Sequence, residues 1–122
     1  SAASDVYKRQ GYKGALALLQ EGVTALIAGD SMMTAGALEA CHNAGKRIGE
    51  EIALVGFDDF IYLRFQPSPI SVVDQDVARM GETATAKLIA AINDKHQPEG
   101  EVLETRYIPR MSTAHQLDGA TA

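Results

Sequence analysis

Three short polar segments of this chain carry side chains that could recognise a small polar molecule. They are Gly29-Asp30-Ser31, Phe57-Asp58-Asp59 and Asp74-Gln75-Asp76, and each follows a short apolar run. Carboxylates and amides each make two or more hydrogen bonds, which suits the vicinal hydroxyls of a sugar or the edge of a purine. Aromatic side chains close in sequence could stack on an apolar ring face; they are Phe57, Phe60, Tyr62 and Phe65. The pattern predicts a hydrogen-bonding site.

Each acidic residue in these segments also has a plainer interpretation. Asp30 or Ser31 could simply cap a following helix, although a cap and a ligand contact can coexist at one side chain. Asp58 follows a predicted strand and Gly56, which favours the ligand role. A hard cation could bind Asp58 and Asp59, but adjacent residues leaving a strand point apart and no third ligand has a recognisable spacing. We therefore predict no metal site.

Other chemistries lack the residues that they need. A phosphate-accepting aspartate, as in a receiver domain, would need an acidic pair after the first strand, where Asp30 stands alone, and a lysine after a later strand, where Asp74 stands. Gly-x-Ser-x-Gly is absent, and the three histidines have no serine or cysteine partner in a recognisable pattern. We expect no enzymatic activity and no cofactor.

The polar segments are positioned by alternating helices and strands. The apolar runs 23–28, 52–55 and 70–73 predict buried strands, 102–108 predicts a weaker one, and 57–69 predicts irregular structure. Helices are predicted over 12–20, 33–44 and 76–93, with Asp30-Ser31 as an N-cap candidate and Gly45 as a stop. Unbroken apolar strands that alternate with helices are typical of an α/β fold, a parallel sheet flanked by helices on both faces. The polar segments would then share its carboxyl edge.

Composition excludes several classes of protein. The 122 residues suffice for one domain, and 46% hydrophobic with 22% charged residues is ordinary for a globular chain. The net charge is −5, and the basic pair Lys46-Arg47 is flanked by acidic residues, so this piece should not contact DNA directly. A lone cysteine, Cys41, allows no internal disulfide. No apolar run approaches the roughly 20 residues that span a bilayer, so we expect no membrane partner.

The two ends of the chain differ from its middle. Residues 1–10 show no apolar period, and 5–10 look like the translation of a transposon end used in sequencing libraries, so we interpret 1–10 as an adaptor scar. The folded lobe is predicted over 11–113. Residues 114–122 are small and polar and predict a flexible tail.

Six segments, taken in order, resemble the LacI/GalR family of transcriptional regulators. They are Ser31-Met-Met-Thr-Ala-Gly-Ala37, Gly45-Lys-Arg-Ile-Gly49, Gly56-Phe-Asp-Asp59, Pro69-Ile-Ser-Val-Val-Asp-Gln75, Met80-Gly-Glu82 and Arg110-Met-Ser-Thr113. The resemblance covers about residues 12–113. It implies the C-terminal lobe of a periplasmic-binding-protein-like type I fold, in which two α/β lobes close on an effector.

The resemblance implies a set of effector-binding residues in this lobe: Asp30, Asp58, Gln75 and, as a wall of the site, Val77. The effector would be a sugar, a nucleobase or a similar small metabolite. Ser31 stands where the family commonly has Asp, and Thr34 where it usually has Ala. Because of these departures, the identity of the effector does not transfer.

The resemblance also implies a homodimer formed through this lobe. The interface candidates are Ala35, Leu38, His42, Tyr62 and Phe65. Leu38 and Phe65 could instead belong to the local core. In the whole protein, a helix-turn-helix outside this chain would bind operator DNA in the cytoplasm, and the effector would control that binding allosterically.

Two other classes of protein stay open. A periplasmic sugar-binding protein of a transporter or chemoreceptor shares the fold, and the fold alone cannot separate it from a regulator. Gly-Phe-Asp-Asp and Arg-x-Ser-Thr favour the regulator. An enzyme of flavodoxin-like architecture would need a catalytic constellation that the sequence does not contain.

Overall fold

Helices and strands alternate along the computed structural model, which describes residues 2–94, 97 and 99–114. The helices are α1 (Ala2–Gln20), α2 (Ser31–Asn43), α3 (Ile61–Arg64) and α4 (Val77–Asp94), and the strands are β1 (Ala25–Ile27), β2 (Ala53–Phe57), β3 (Ser71–Asp74) and β4 (Arg106–Ile108). The predicted α/β class is confirmed. The predicted tail lies outside the described residues except for Ala114, which belongs to a helical turn at 111–114.

The four strands form one sheet in the order β1-β2-β3-β4. β1, β2 and β3 run parallel, as predicted, but β4 pairs antiparallel with β3 and makes the sheet mixed. Its register sets Arg106 opposite Asp74, and the Arg106 guanidinium lies 3.9 Å from the Asp74 carboxylate. The sheet departs from the predicted parallel arrangement only at β4, because the weak alternation over 102–108 carries no information on strand direction.

One face of the sheet is buried beneath α1 and α2. Leu26, Leu54 and Val72 lie on this face in adjacent strands and are at most 6% exposed. They join a single core with Leu19 of α1 and Cys41 of α2. Burial in this apolar core raises the pKa of the Cys41 thiol. The apolar core of the chain therefore lies on the face of the sheet that α1 and α2 cover.

The helix α4 is not packed onto the sheet. None of its side chains is buried, although the predicted apolar face is present; Leu88 is 58% and Ile92 65% exposed. On the uncovered face of β1, Ile27 is 80% exposed. The prediction that helices cover both faces was therefore wrong for the described residues.

Among all the helices of the described residues, none is both long enough and apolar enough to cross a bilayer.

α1 begins at Ala2, ten residues before the helix that the sequence predicted. Residues 2–10 contain neither glycine nor proline, so nothing in them stops the helix from extending. Lys8 on this extension lies 3.4 Å from Glu39 of α2. The prediction of a helix start at residue 12 was wrong because it relied on an apolar period. The scar interpretation concerns the origin of these residues and stays a prediction.

The short helix α3 lies within the stretch predicted to be irregular. Its amide at Leu63 donates to the Phe60 carbonyl over 3.0 Å, and the Leu63 side chain is fully buried. A single turn of four residues is too short to show helical periodicity in the sequence. That is why this element was missed.

α1 and α2 approach each other at glycines, and this contact is open to test. A Cβ at Gly36 would lie 2.5 Å from the Tyr12 nitrogen and would also meet the Lys8 carbonyl oxygen. Gly36→Ala should therefore destabilise the chain by about 1–3 kcal/mol through overpacking, in spite of alanine's better helix propensity. Urea unfolding followed by circular dichroism measures the change.

Gly14 supplies the matched control within α1. A Cβ at Gly14 would meet nothing within 4 Å. Gly14→Ala should therefore stabilise the chain by up to about 1 kcal/mol. The same sign of change in both variants would contradict this description of the α1–α2 contact.

Candidate functional site

The predicted ligand-binding segments meet at one edge of the sheet. β1, β2 and β3 are adjacent and parallel, so the segments that follow them leave the sheet on the same side. Backbone hydrogen bonds continue past the strand ends: the Ala28 amide donates to the Val55 carbonyl over 2.9 Å, and the Asp58 amide to the Val73 carbonyl over 2.8 Å. This edge is therefore ordered where the polar side chains begin.

Asp58 and Gln75 form the centre of the candidate site. The Gln75 side-chain amide donates to the Asp58 carboxylate over 3.1 Å, across the gap between the β2 and β3 loops. Asp58 has φ of 65°, a left-handed conformation that aspartate tolerates better than most residues. Both side chains are only half-buried, so they stay within reach of a ligand from solvent. Together they offer a carboxylate and an amide to paired hydroxyls.

Asp30 caps α2, as the plainer interpretation predicts. Its carboxylate Oδ1 accepts a 2.7 Å hydrogen bond from the Met33 amide, and its backbone is extended. A carboxylate has two oxygens with several lone pairs, so one cap does not exhaust its capacity. The capping role is thus confirmed, while the ligand role of Asp30 stays a prediction.

In the sequence, Thr34 stands out only as a departure from the family pattern. Its hydroxyl donates to the Asp30 carbonyl over 2.8 Å and accepts from the Phe57 amide over 3.1 Å. Thr34 is fully buried, so both bonds are shielded from water. A polar residue at a core-facing helix position was the available signal, but it does not reveal the partner 23 residues away.

Asp59 points away from Asp58 and into an ion-pair cluster. Its carboxylate accepts two hydrogen bonds from Arg110, of 2.8 and 2.9 Å, and two from Arg64, of 3.3 and 3.0 Å. The hydrogen bonds from Arg110 hold the pKa of Asp59 below its usual range, and the carboxylate in turn raises the pKa of Arg110. Asp58 and Asp59 thus serve different partners, as the geometry of a strand end predicts.

The segment after β4 is fastened to the sheet by hydroxyl groups. The Ser112 hydroxyl donates to the Leu54 carbonyl over 2.6 Å and accepts from the Ser71 amide over 2.8 Å. The Ser71 hydroxyl accepts from the Arg110 amide over 2.7 Å. Arg110 therefore reaches Asp59 from a segment that is held in place at the β2–β3 junction.

The position of Val77 fits its predicted role less well. Val77 begins α4 two residues after Gln75, and its side chain is 61% exposed. It shares an open surface depression with other α4 residues, among them Gly81 and Ile89. The structure shows no direct link between Val77 and Asp58, so its role as a wall stays a prediction.

The predicted dimer residues lie on α2, on α3 and, for Phe65, directly after α3. Leu38 packs partly against the core, and with His42 it lines a cavity of about 360 Å³. Phe65 is 79% exposed, so it is not a core residue. Tyr62 stacks on Phe60, with ring centroids 6.0 Å apart. Ala35 is half-buried on α2. Of the aromatic side chains predicted to stack on a ligand, Phe60 and Tyr62 stack on each other and Phe65 is exposed at the end of α3, whereas Phe57 is half-buried at the end of β2.

Comparisons with known proteins identify the family of this chain. Residues 2–113 match the family of periplasmic binding protein-like domains, and the match includes most of the predicted scar. The chain is 31% identical to the HTH-type transcriptional regulator MalR of Streptomyces coelicolor, over 85% of this chain and 30% of the relative. It is 26% identical to the lactose operon repressor of Escherichia coli, over 84% of this chain and 29% of the relative. The chain thus spans about 30% of these curated relatives.

A solved structure shows the same arrangement. A LacI family transcriptional regulator from Enterococcus faecium, with bound ribose, superposes with a TM-score of 0.79 and 25% identity. The superposition covers 88% of this chain and 40% of that one. The fold described above is therefore one that solved regulators share.

Proposed function

We propose a function on the premise that this chain belongs to the periplasmic binding protein-like family, in the form found in LacI/GalR-type transcriptional regulators. We infer that it is the effector-sensing part of such a regulator. The observation that carries this proposal is the Asp58–Gln75 pair at the edge shared by the three parallel strands. A carboxylate bonded to an amide at a half-exposed edge is suited to bind the hydroxyls of a small polar molecule.

The effector that this edge favours is a sugar or a nucleobase-like metabolite, bound by Asp58 and Gln75 with help from Asp30 and Val77. One neighbour of this fold has been solved with bound ribose. Sugars present vicinal hydroxyls, which pair well with the two oxygens of a carboxylate. Since this chain supplies one side of a cleft, we expect dissociation constants of about a millimolar.

In the whole protein we propose that the effector controls operator binding. The curated relatives include proteins named as HTH-type regulators and repressors. A net charge of −5 makes this chain a poor DNA ligand, so a separate helix-turn-helix would contact the operator. Allosteric control requires that effector and operator favour different arrangements of the protein. We place such a regulator in the cytoplasm, and we propose no enzymatic activity for it.

We propose that Ala35, Leu38, His42, Tyr62 and Phe65 form a homodimer face. Phe65 is a large aromatic side chain at 79% exposure, the kind of residue that anchors interfaces. Phe65→Ser should weaken self-association of the chain by about tenfold, since it removes a central apolar contact. Sedimentation velocity over a range of concentrations measures this.

Ile27 provides the control for that prediction. It is 80% exposed, as Phe65 is, but lies on β1, outside the proposed face. Ile27→Ser should leave the association constant close to that of the unchanged chain. Equal weakening in the two variants would indicate non-specific association and would contradict the proposed face.

A test of effector binding needs a defined set of probes. We choose ribose, lactose, maltose and adenine as the probe panel and follow the amide resonances of the ¹⁵N-labelled chain by NMR. The proposal predicts that at least one probe shifts the resonances of residues 30, 58 and 75 more than the rest. Shifts confined to other regions, or none with any probe at high millimolar concentration, would contradict it. An exported sugar-binding protein would give the same shifts, and the gene sequence upstream of this chain separates the two.

A further inference from the structure

The Thr34 hydroxyl links the loop that carries Asp30 to the loop that carries Asp58. It donates to the Asp30 carbonyl over 2.8 Å and accepts from the amide of Phe57, the residue before Asp58, over 3.1 Å. A threonine hydroxyl has one proton to donate, and here the proton and one lone pair are both engaged. One buried side chain thus joins two of the three predicted effector loops.

The hydrogen bond from the Phe57 amide to the Thr34 hydroxyl lies just beyond the end of the β1–β2 hydrogen-bond ladder. The Ala28 amide donates to the Val55 carbonyl over 2.9 Å, and β1 then gives way to the α2 loop. Phe57 lies two residues beyond Val55, so its amide faces the same side as β1. The Thr34 hydroxyl accepts the hydrogen bond that the next β1 residue would have accepted in a longer strand. The Asp58 amide, by contrast, is bonded on the β3 side, to Val73.

Packing around Thr34 restricts the orientation of the hydroxyl. A Cβ built at Gly56 would lie 2.7 Å from the Thr34 methyl carbon, so this methyl lies directly against the β2 backbone. A threonine side chain has few χ1 rotamers, and this contact disfavours the others. The hydroxyl is therefore held towards Phe57 in a site from which water is excluded.

We propose that Thr34 is a positioning residue that sets the spacing between Asp30 and Asp58 for the effector. This inference rests on the proposed function, because the spacing matters only if both loops contact a ligand. The left-handed backbone of Asp58 is anchored on its β1 side by Thr34 and on its β3 side by Val73. Without the hydroxyl, the backbone at Phe57 loses its hydrogen bond on the β1 side, and the Asp58 loop, still held on the β3 side, can shift relative to Asp30.

Two substitutions separate the hydroxyl from the methyl. Thr34→Val keeps the shape and removes the hydrogen bonds, whereas Thr34→Ser keeps the hydroxyl and removes the methyl. In Thr34→Val, hydrogen exchange at the Phe57 amide should become at least about tenfold faster, while the Ala53 amide at the other end of β2 stays unchanged. Affinity for the binding member of the probe panel should fall by about tenfold in Thr34→Val and be largely retained in Thr34→Ser.

The two readouts separate failure of this inference from failure of the proposed function. Unchanged Phe57 exchange in Thr34→Val, or equal losses of affinity in the valine and serine variants, would overturn the positioning role. A Thr34→Val chain whose melting temperature changes but whose affinity for the probe does not would overturn it as well, since a purely structural role predicts that result. If no probe binds the unchanged chain, the proposed function fails, and the exchange comparison alone decides whether the hydroxyl fixes the two loops.

Discussion

Replacing Arg110 with methionine should lower the free energy of unfolding by about 3 kcal/mol, because it leaves a largely buried carboxylate short of its main partner. The side chains of Arg110 and Asp59 are only 17% and 11% exposed, and they share two hydrogen bonds of 2.8 and 2.9 Å. Arg110 also donates to the Ile70 carbonyl over 3.0 Å, and that bond is lost too. Urea unfolding at neutral pH measures the change.

Arg64 offers a control on the same carboxylate. It binds Asp59 at 3.0 Å, but its side chain is 52% exposed. Arg64→Met should therefore cost less than about 1 kcal/mol, as exposed ion pairs do. Comparable losses from both arginine substitutions would contradict the claim that burial makes the Arg110 pair the dominant one.

The same cluster predicts a dependence of stability on pH. Hydrogen bonds from Arg110 lower the pKa of Asp59 in the folded chain. The stabilisation that Arg110 and Asp59 give the folded chain is therefore fully present above the ordinary carboxyl pKa of about 4. It is lost as the pH falls through the lower pKa that Asp59 has in the folded chain. The difference in the free energy of unfolding between the unchanged chain and Arg110→Met should narrow as the pH falls below about 4. A difference in the free energy of unfolding that stays constant with pH would contradict the claim that Arg110 stabilises the chain through the Asp59 carboxylate.

Asp58→Asn should weaken binding of the best member of the probe panel by roughly 10- to 100-fold while the fold stays intact. The change removes the charge that strengthens hydrogen bonds to hydroxyls, and charge-assisted bonds are about twice as strong as neutral ones. Asparagine tolerates the left-handed backbone found at Asp58, where φ is 65°, so no strain is added. NMR titration gives the affinity, and thermal melting checks the fold.

Asp76 is the matched control for this charge removal. It also has a left-handed backbone, with φ of 54°, and it lies next to Gln75. Its carboxylate accepts from the Arg79 amide at the start of α4, a role that asparagine can take over. Asp76→Asn should therefore bind the probe about as well as the unchanged chain. If Asp76→Asn lost as much affinity as Asp58→Asn, the loss would come from the lower negative charge of this region and not from the contact that Asp58 makes.

Local features of the fold were predictable because their signals are local. Apolar runs locate β1, β2 and β3, because short runs of apolar and β-branched residues bounded by glycine or polar residues are typical of buried strands. Asp30 caps α2 as its position before an apolar-periodic segment indicates. Gly45, with φ of 68°, follows the end of that helix, because glycine adopts this conformation without steric cost.

Features that depend on distant partners were not predictable in the same way. Arg110 and Asp59 are 51 residues apart, and nothing in the sequence around either residue indicates the other as its partner. The direction of β4 depends on the path of the chain after α4, which periodicity does not record. The apolar face of α4 was recognised, but a pattern shows that a face is apolar and not what covers it. Thr34 was visible only as an unusual residue at its position.

Sequencing the source DNA upstream of the codon for Gly11 would show whether this chain is the effector-sensing part of a DNA-binding regulator. We expect an in-frame helix-turn-helix followed by a first lobe of roughly 100 or more residues. We also expect different sequence in place of the codons for residues 1–10. A secretory signal peptide leading straight into the first lobe would overturn this proposal and make the chain part of an exported binding protein.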